Sequence, residues 1–446
     1  MSMGTRSGQA MRRLLVFGLL LVLLLVGGGT TWYWFTLYRV GEPARDHLAL
    51  TGATVLAGED LHPALRTTVL IADGRIVGVG PDGSIPLPED SQVVDLAGRT
   101  LMPGLIDLHV HLGSPELQRG QQLNGWKLLG VVLDQLRFVP GARRALLEHG
   151  VTSVRSLGDE YAWVMEMRRL LRDHELEGPR LHAAGPLFTT GGGHPVATLG
   201  VQPDSDSVRL PATPAEAQRI VRDLATGPDK VDLIKVVQER GSDRRPLQPI
   251  EPAVLQAIVD EAHRHDLPVV AHWGTLTDLG ELLAAGVDGL EHLEARGVLD
   301  GWPQQSLQEL VAAQVPLDPT LAVTEAALPA ETHRVLQQRL REFAAAGGTV
   351  VSGSDAGMPG VPFGGGLHRE LELLVDAGLT PTEALRAATS RAARVMHSQD
   401  TGAIETGRAA DLLVVDGNPH ENISAIRDVV LVLREGRLVV DHRPRN

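Results

Sequence analysis

Two histidines separated by a single residue, His109-Val110-His111, are spaced so that they could do chemistry together. In a β-strand, residues i and i+2 project from the same face, so both imidazoles can reach one cation. Spacing alone is weak support, because His263-Arg264-His265 repeats it on what reads as an exposed, solvated helix. Context separates the two pairs. His109 and His111 end an apolar run entered through Pro103-Gly104-Leu105-Ile106-Asp107. Four more polar residues lie in or end other such runs. Lys235 sits inside Val231-Asp232-Leu233-Ile234-Lys235-Val236-Val237, where an ammonium is costly unless paired, deprotonated or modified. A lysine snorkelling from a strand edge fits the same pattern. His272 follows Pro268-Val269-Val270-Ala271, His292 follows Gly289-Leu290-Glu291, and Asp355 follows Val350-Val351-Ser352-Gly353-Ser354. Taken singly, each also reads as a satisfied core or loop histidine, or as a capping aspartate. Six donor-type side chains at the ends of five runs are hard to treat as unrelated. With no cysteine in the chain, any metal must be held by His, Asp, Glu or a modified Lys.

The elements that would position these residues alternate along the chain. Short β-type runs cover residues 104–109, 151–156, 180–184, 231–236, 269–272, 289–292, 315–319 and 349–354. Amphipathic helical stretches separate them, for example 214–225, 252–265 and 303–313. Eight strand–helix alternations predict a parallel sheet with outer helices, closing as a (β/α)8 TIM barrel over residues 103–400, with its site at the C-terminal strand ends. Both flanks are β-rich. Residues 67–72 and 75–79 bracket the hairpin signal Asp73-Gly74, and residues 411–415, 429–433 and 437–440 repeat the style near the C-terminus. Residues 48–102 and 401–446 are therefore expected to join in one small β-sandwich.

The 446-residue length suits a barrel plus a smaller module, and 43% hydrophobic content is that of a globular protein. A formal net charge of −14, without a run of Lys or Arg, argues against nucleic acid as a partner. Residues 14–34 carry no charge and follow Arg6, Arg12 and Arg13. A helix of that length spans the roughly 30 Å apolar core of a bilayer. Trp32, Tyr33, Trp34, Phe35 and Tyr38 would form an interfacial aromatic belt. A cleaved signal peptide is the alternative, but the run is long for one and no clear small-x-small cleavage site follows. The expectation is a cytoplasmic stretch (1–13), a single-pass anchor (14–34) and a linker (35–47). The catalytic part would lie on the periplasmic side of a bacterial inner membrane.

The run Pro-Gly-Leu-Ile-Asp-Leu-His-Val-His, residues 103–111, resembles the first-strand signature of the amidohydrolase superfamily. The order His-x-His, Lys, His, His, Asp is similar to its binuclear subtype with a carboxylated lysine. Ser352-Gly353-Ser354-Asp355-Ala356-Gly357, residues 377–389 and residues 407–416 resemble its final barrel and sandwich segments, so the likeness spans about 48 to 443. The nearest branch holds Xaa-Pro dipeptidases, metallo-carboxypeptidases and imidazolonepropionases. The resemblance implies two divalent cations, with zinc the expected metal. His109, His111 and Asp355 would hold the more buried one, His272 and His292 the other, and carboxylated Lys235 would bridge them. It further implies a metal-bridging hydroxide as nucleophile, with Asp355 moving its proton to the leaving amine. Asp107 shares the parity of the two histidines one layer below and is a supporting candidate.

Substrate contacts are less defined. His194 ends the Gly-rich loop Thr189-Thr190-Gly191-Gly192-Gly193-His194, which also reads as a plain surface loop; Arg155 and Arg240 follow strands, where a substrate carboxylate or an ordinary ion pair would satisfy them. The segment Val236-Val237-Gln238-Glu239-Arg240-Gly241 lacks the Gly-rich stretch of the dipeptidase relatives. The implied reaction is hydrolysis of a C–N bond in a small amino-acid derivative: an N-acyl amino acid, a dipeptide or a cyclic amide. One alternative is a mononuclear zinc deaminase, against which Lys235 and the Trp273-Gly274-Thr275 that follows His272 both argue. The other is a non-catalytic barrel acting as a membrane-tethered binding module. A homo-oligomer is left open.

Overall fold

The computed structural model describes residues 4–37, 46–113, 125, 129, 138–293 and 296–443. Gly4–Leu37 is one helix; its Met11–Thr31 stretch, of mean hydropathy 2.4, is wholly unburied and is long and apolar enough to be a membrane span or a signal sequence. The side chains of Trp32, Tyr33, Trp34 and Phe35, together with Tyr38 and most of the expected linker, lie outside the described residues.

The two β-rich ends of the chain do pair. The Leu412–Asp416 strand runs antiparallel to Arg99–Pro103, with Leu413 opposite Met102. The result is one continuous eight-stranded sheet, with Val429–Arg434 and Arg437–Asp441 at one end and His47–Ala57, His62–Ala72 and Arg75–Pro81 at the other. Hydrogen bonding thus gives a single sheet where two sandwich layers were expected. It buries Leu50, Val55, Ile71, Leu101, Val414 and Leu431 in a core of its own.

Between these ends the alternation holds. Leu105–Val110, Val151–Ser156 and Arg180–Ala183 form one parallel sheet, and Ile234–Gln238, Val269–Trp273, Gly289–Glu291 and Leu317–Asp318 belong to a second. Outer helices match the amphipathic stretches closely. Pro214–Thr226 begins with Pro214 in its first turn, behind Thr213, whose side chain accepts from the Glu216 N–H. Pro252–Arg264 buries Val254, Leu255 and Ile258, and Gln304–Ala312 buries Leu310. Two sequence expectations shift. The lysine-bearing strand starts at Ile234, later than residue 231, and the expected last strand, 349–354, forms no regular ladder.

That last segment is held by scattered bonds. The Val351 N–H donates to Leu317 O (3.0 Å), Leu108 N–H to Ser352 O (3.1 Å) and Asp355 N–H to His109 O (2.8 Å). Two of its backbone donors turn to carboxylates: the Gly353 N–H donates to Asp318 Oδ1 (2.8 Å) and the Ser354 N–H to Asp107. Asp107 Oδ1 accepts from Ser354 N (2.8 Å) and its Oδ2 from Ser354 Oγ (2.6 Å). Gly353 is obligatory there. A Cβ at Gly353 would lie 2.6 Å from the His109 backbone N and against the Asp318 carboxylate. Gly353→Ala should therefore lower stability by about 1–3 kcal/mol through overpacking and displace the 353–356 segment. Thermal melting of the variant checks this, and an unchanged midpoint would contradict it.

Candidate metal centre

Register explains why so many polar side chains meet. In the second sheet Val237, His272, Glu291 and Asp318 are successive in-register partners, so they face the same way in one row. Lys235, two residues before Val237, shares that face one layer below. From the first sheet, His109 and His111 reach the same space: their ring centroids are 5.2 Å apart, and their Nε2 atoms lie 3.6 and 3.3 Å from Asp355 Oδ1. The period-2 expectation is met.

His292 and Asp355 arrive by a different route. In a regular strand His292 would point away from the face used by Glu291. It instead adopts φ 69°, and Asp355 adopts φ 60°, left-handed backbone uncommon for such residues. His292 thereby lies 4.8 Å from the His109 ring and 4.9 Å from the His272 ring, with Nδ1 4.0 Å from Asp355 Oδ2. Thr320, at φ 47°, contributes an Oγ1 2.8 Å from His292 Nδ1. His272 Nε2 lies 3.3 Å from Glu239 Oε2, and its other neighbour is His194, stacked at 5.2 Å.

Electrostatics favours metal-binding protonation states at His109, His292 and Asp355, whereas His111 is raised, Asp355 outweighing the effect of burial. Burial holds His109 at about 4 and His292 well below its usual range, leaving neutral imidazoles with a lone pair. Burial would raise Asp355, but its contact with His109 and its hydrogen bond with His111 outweigh it and lower the carboxyl. Lys235 is 3% exposed, and its Nζ has no hydrogen-bond partner among the described residues. Burial lowers its amine to about 8, opposed by the charges of Glu291 and Asp355.

These residues fit a metal site. The donor atoms of His109, His111 and Asp355 all lie within 4.8 Å of one another, and the set is nitrogen and oxygen, which suits zinc and similar divalent ions. An unpartnered amine beside them is what a bridging modification needs.

The structure does not bring the two arginines to this space as substrate contacts. The Arg155 guanidinium is 4% exposed and donates to Glu291 Oε1 (2.6 Å) and Leu108 O (2.6 Å). Arg240 is held by Asp278 and by Glu281 (2.5 Å), because its strand ends beside the helix carrying both carboxylates. His194 does reach the cluster through its stack on His272, and burial holds it at about 4. Asp107 supports from below, accepting from His109 N at 3.2 Å. Sequence reasoning missed Glu291, Asp318, Glu239 and Thr320. A carboxylate inside an apolar run, as in Gly-Leu-Glu-His and Pro-Leu-Asp-Pro, was the available signal.

Comparison with known proteins agrees with this geometry. A family model described as the amidohydrolase family matches residues 100–439. The chain is similar to an ochratoxinase of Aspergillus niger, 27% identical over 423 residues covering 86% of this chain and 85% of that protein. It is similar also to an imidazolonepropionase of Symbiobacterium thermophilum, 27% identical over 411 residues covering 83% and 89%. Among solved structures it resembles a prolidase complexed with N-methylphosphonate-L-proline, with TM-score 0.71 and 26% identity over 89% of this chain and 100% of that one.

The lowered basicity of the buried Lys235 amine has a measurable consequence. Its folded value of about 8 lies below the ordinary 10.5, so between those values the unfolded chain binds more protons and stability rises with pH. Metal-free protein should gain melting temperature from pH 8 towards 10.5 relative to Lys235→Met. Parallel pH profiles for the two proteins would contradict the assignment.

Proposed function

The chain belongs to the amidohydrolase family, and from that premise we propose a membrane-anchored, metal-dependent hydrolase that cleaves the C–N bond of a small amino-acid derivative. N-acyl amino acids, dipeptides and cyclic amides are the substrate classes. A relative solved with a prolyl phosphonate supports that size and character. We read the two parallel sheets as arcs of one (β/α)8 barrel over residues 103–400, flanked by a β-module from residues 48–102 and 401–446. The N-terminal helix is read as an anchor, with the catalytic part on the periplasmic side.

The observation that carries the reading is the buried Lys235 amine, unpartnered on the face it shares with His272. A neutral amine can add to carbon dioxide: its nitrogen forms the N–C bond, one proton is released, and a carbamate anion results. Carboxylated in this way, Lys235 would bridge two cations. His109, His111 and Asp355 would hold one, and His272 and His292 the other. When bound, two divalent ions, zinc being expected, polarise a carbonyl and lower the pKa of water. Asp355, ionised and within 4.0 Å of His111, His109 and His292, accepts a proton from the attacking water and passes it to the leaving nitrogen. His194, neutral and stacked on His272, is placed to donate or accept a hydrogen bond with the substrate carbonyl or carboxylate.

Metal analysis of the purified full-length protein tests the reading. About two ions per chain are expected; one ion with unmodified Lys235 would favour a mononuclear deaminase. Asp355→Asn should keep the fold and much of the metal, yet lower turnover about 10²–10⁴-fold, and unchanged turnover removes Asp355 from this role. Lys235→Ala should abolish activity, with partial recovery on adding a short carboxylic acid. Wild-type activity and metal content in that variant would overturn the bridge.

A further inference from the structure

Within this metal-dependent reading, on which the inference rests, we propose that the buried Arg155–Glu291 ion pair is the positioning device of the centre, fixing His109 in the tautomer that offers Nε2 to a cation. His109 Nδ1 lies 2.8 Å from Glu291 Oε2, and the other Glu291 oxygen lies 2.6 Å from the Arg155 Nη2 donor. All three side chains are at most 4% exposed. An ionised carboxylate only accepts hydrogen bonds, so the proton on His109 must sit on Nδ1 and the lone pair on Nε2. That Nε2 is the atom facing Asp355. The Thr320 hydroxyl beside His292 can donate or accept, so it does not impose a tautomer in the same way.

Arg155 completes the device. Its Nε donates to the carbonyl of Leu108, the residue before His109, at 2.6 Å. One guanidinium therefore orients the carboxylate and ties it to the strand that carries the imidazole. A buried carboxylate without that partner would be costly, and the pair balances its charge. His109, Glu291 and Asp318 also offer donor atoms within 4.8 Å of one another. The guanidinium on Glu291 repels a cation from that trio, so the pair orients a ligand and does not bind metal itself. Glu291 and Arg155 act through His109 and are positioning residues.

The test uses metal-free full-length protein and zinc, with affinity read by competition against a chromophoric chelator and fold read by melting of the metal-free state. In Glu291→Gln an amide N–H must face either His109 or Arg155, so zinc affinity should fall about 10–100-fold. In the double variant Arg155→Met/Glu291→Leu neither charge of the pair remains and nothing from position 291 accepts from His109 Nδ1. Its metal-free melting should stay near wild type while zinc affinity stays weakened. Zinc binding as tight as wild type in either variant would overturn the proposal, as would uptake of a third ion that is lost with Glu291. Wild-type protein that takes up no zinc would instead overturn the hydrolase reading and this proposal with it.

Discussion

The interior of this protein is organised by the need to keep charged and neutral polar groups together where water is excluded. Lys235, Glu291, Arg155, Asp318, Asp355 and the imidazoles of His109 and His292 share one space inside a shell of aliphatic side chains. None of them is tolerable there alone, because an isolated buried charge costs several kcal/mol. Their mutual arrangement decides which stay ionised. The Arg155 guanidinium keeps Glu291 charged, the neighbouring imidazoles keep Asp355 charged, and Lys235, with no hydrogen-bond partner, is pushed towards the neutral amine. That neutral amine is the group the proposed chemistry needs.

Backbone strain works alongside this charge balance. Three buried residues of the cluster, His292, Thr320 and Asp355, adopt left-handed φ values that side chains other than glycine seldom take. In His292 the effect is to bring two consecutive residues, Glu291 and His292, to the same face. One then orients His109 while the other stands ready as a ligand. Gly353 and Asp107 serve the same end from the opposite side, where close packing against His109 fixes the segment that carries Asp355.

Much of this was legible from residues alone because periodicity survives in sequence. His109 and His111 lie at strand spacing, Lys235 interrupts an aliphatic run, and each expected ligand ends a run that the structure makes a strand or a strand-like segment. The β-rich ends pair as their patterning foretold. What stayed hidden depended on backbone geometry or on distant partners. Glu291 precedes a ligand in a strand, and parity assigns it to the opposite face until the φ of His292 is known. Arg155 stayed open between a substrate contact and an ion pair because its partner lies 136 residues away. Arg240 stayed open for the same reason, its partners Asp278 and Glu281 lying on a later helix. The last expected strand forms no ladder where Asp318 and Asp107, 35 and 247 residues upstream, take the Gly353 and Ser354 N–H groups.

At the centre of the account stands a lysine amine converted to a bridging anion. Carbon-13 NMR of full-length protein, reconstituted with zinc and labelled bicarbonate, reports directly on that bond. A single carbamate resonance that disappears in Lys235→Ala is the predicted result. A catalytically active, zinc-loaded protein with no carbamate resonance would contradict it.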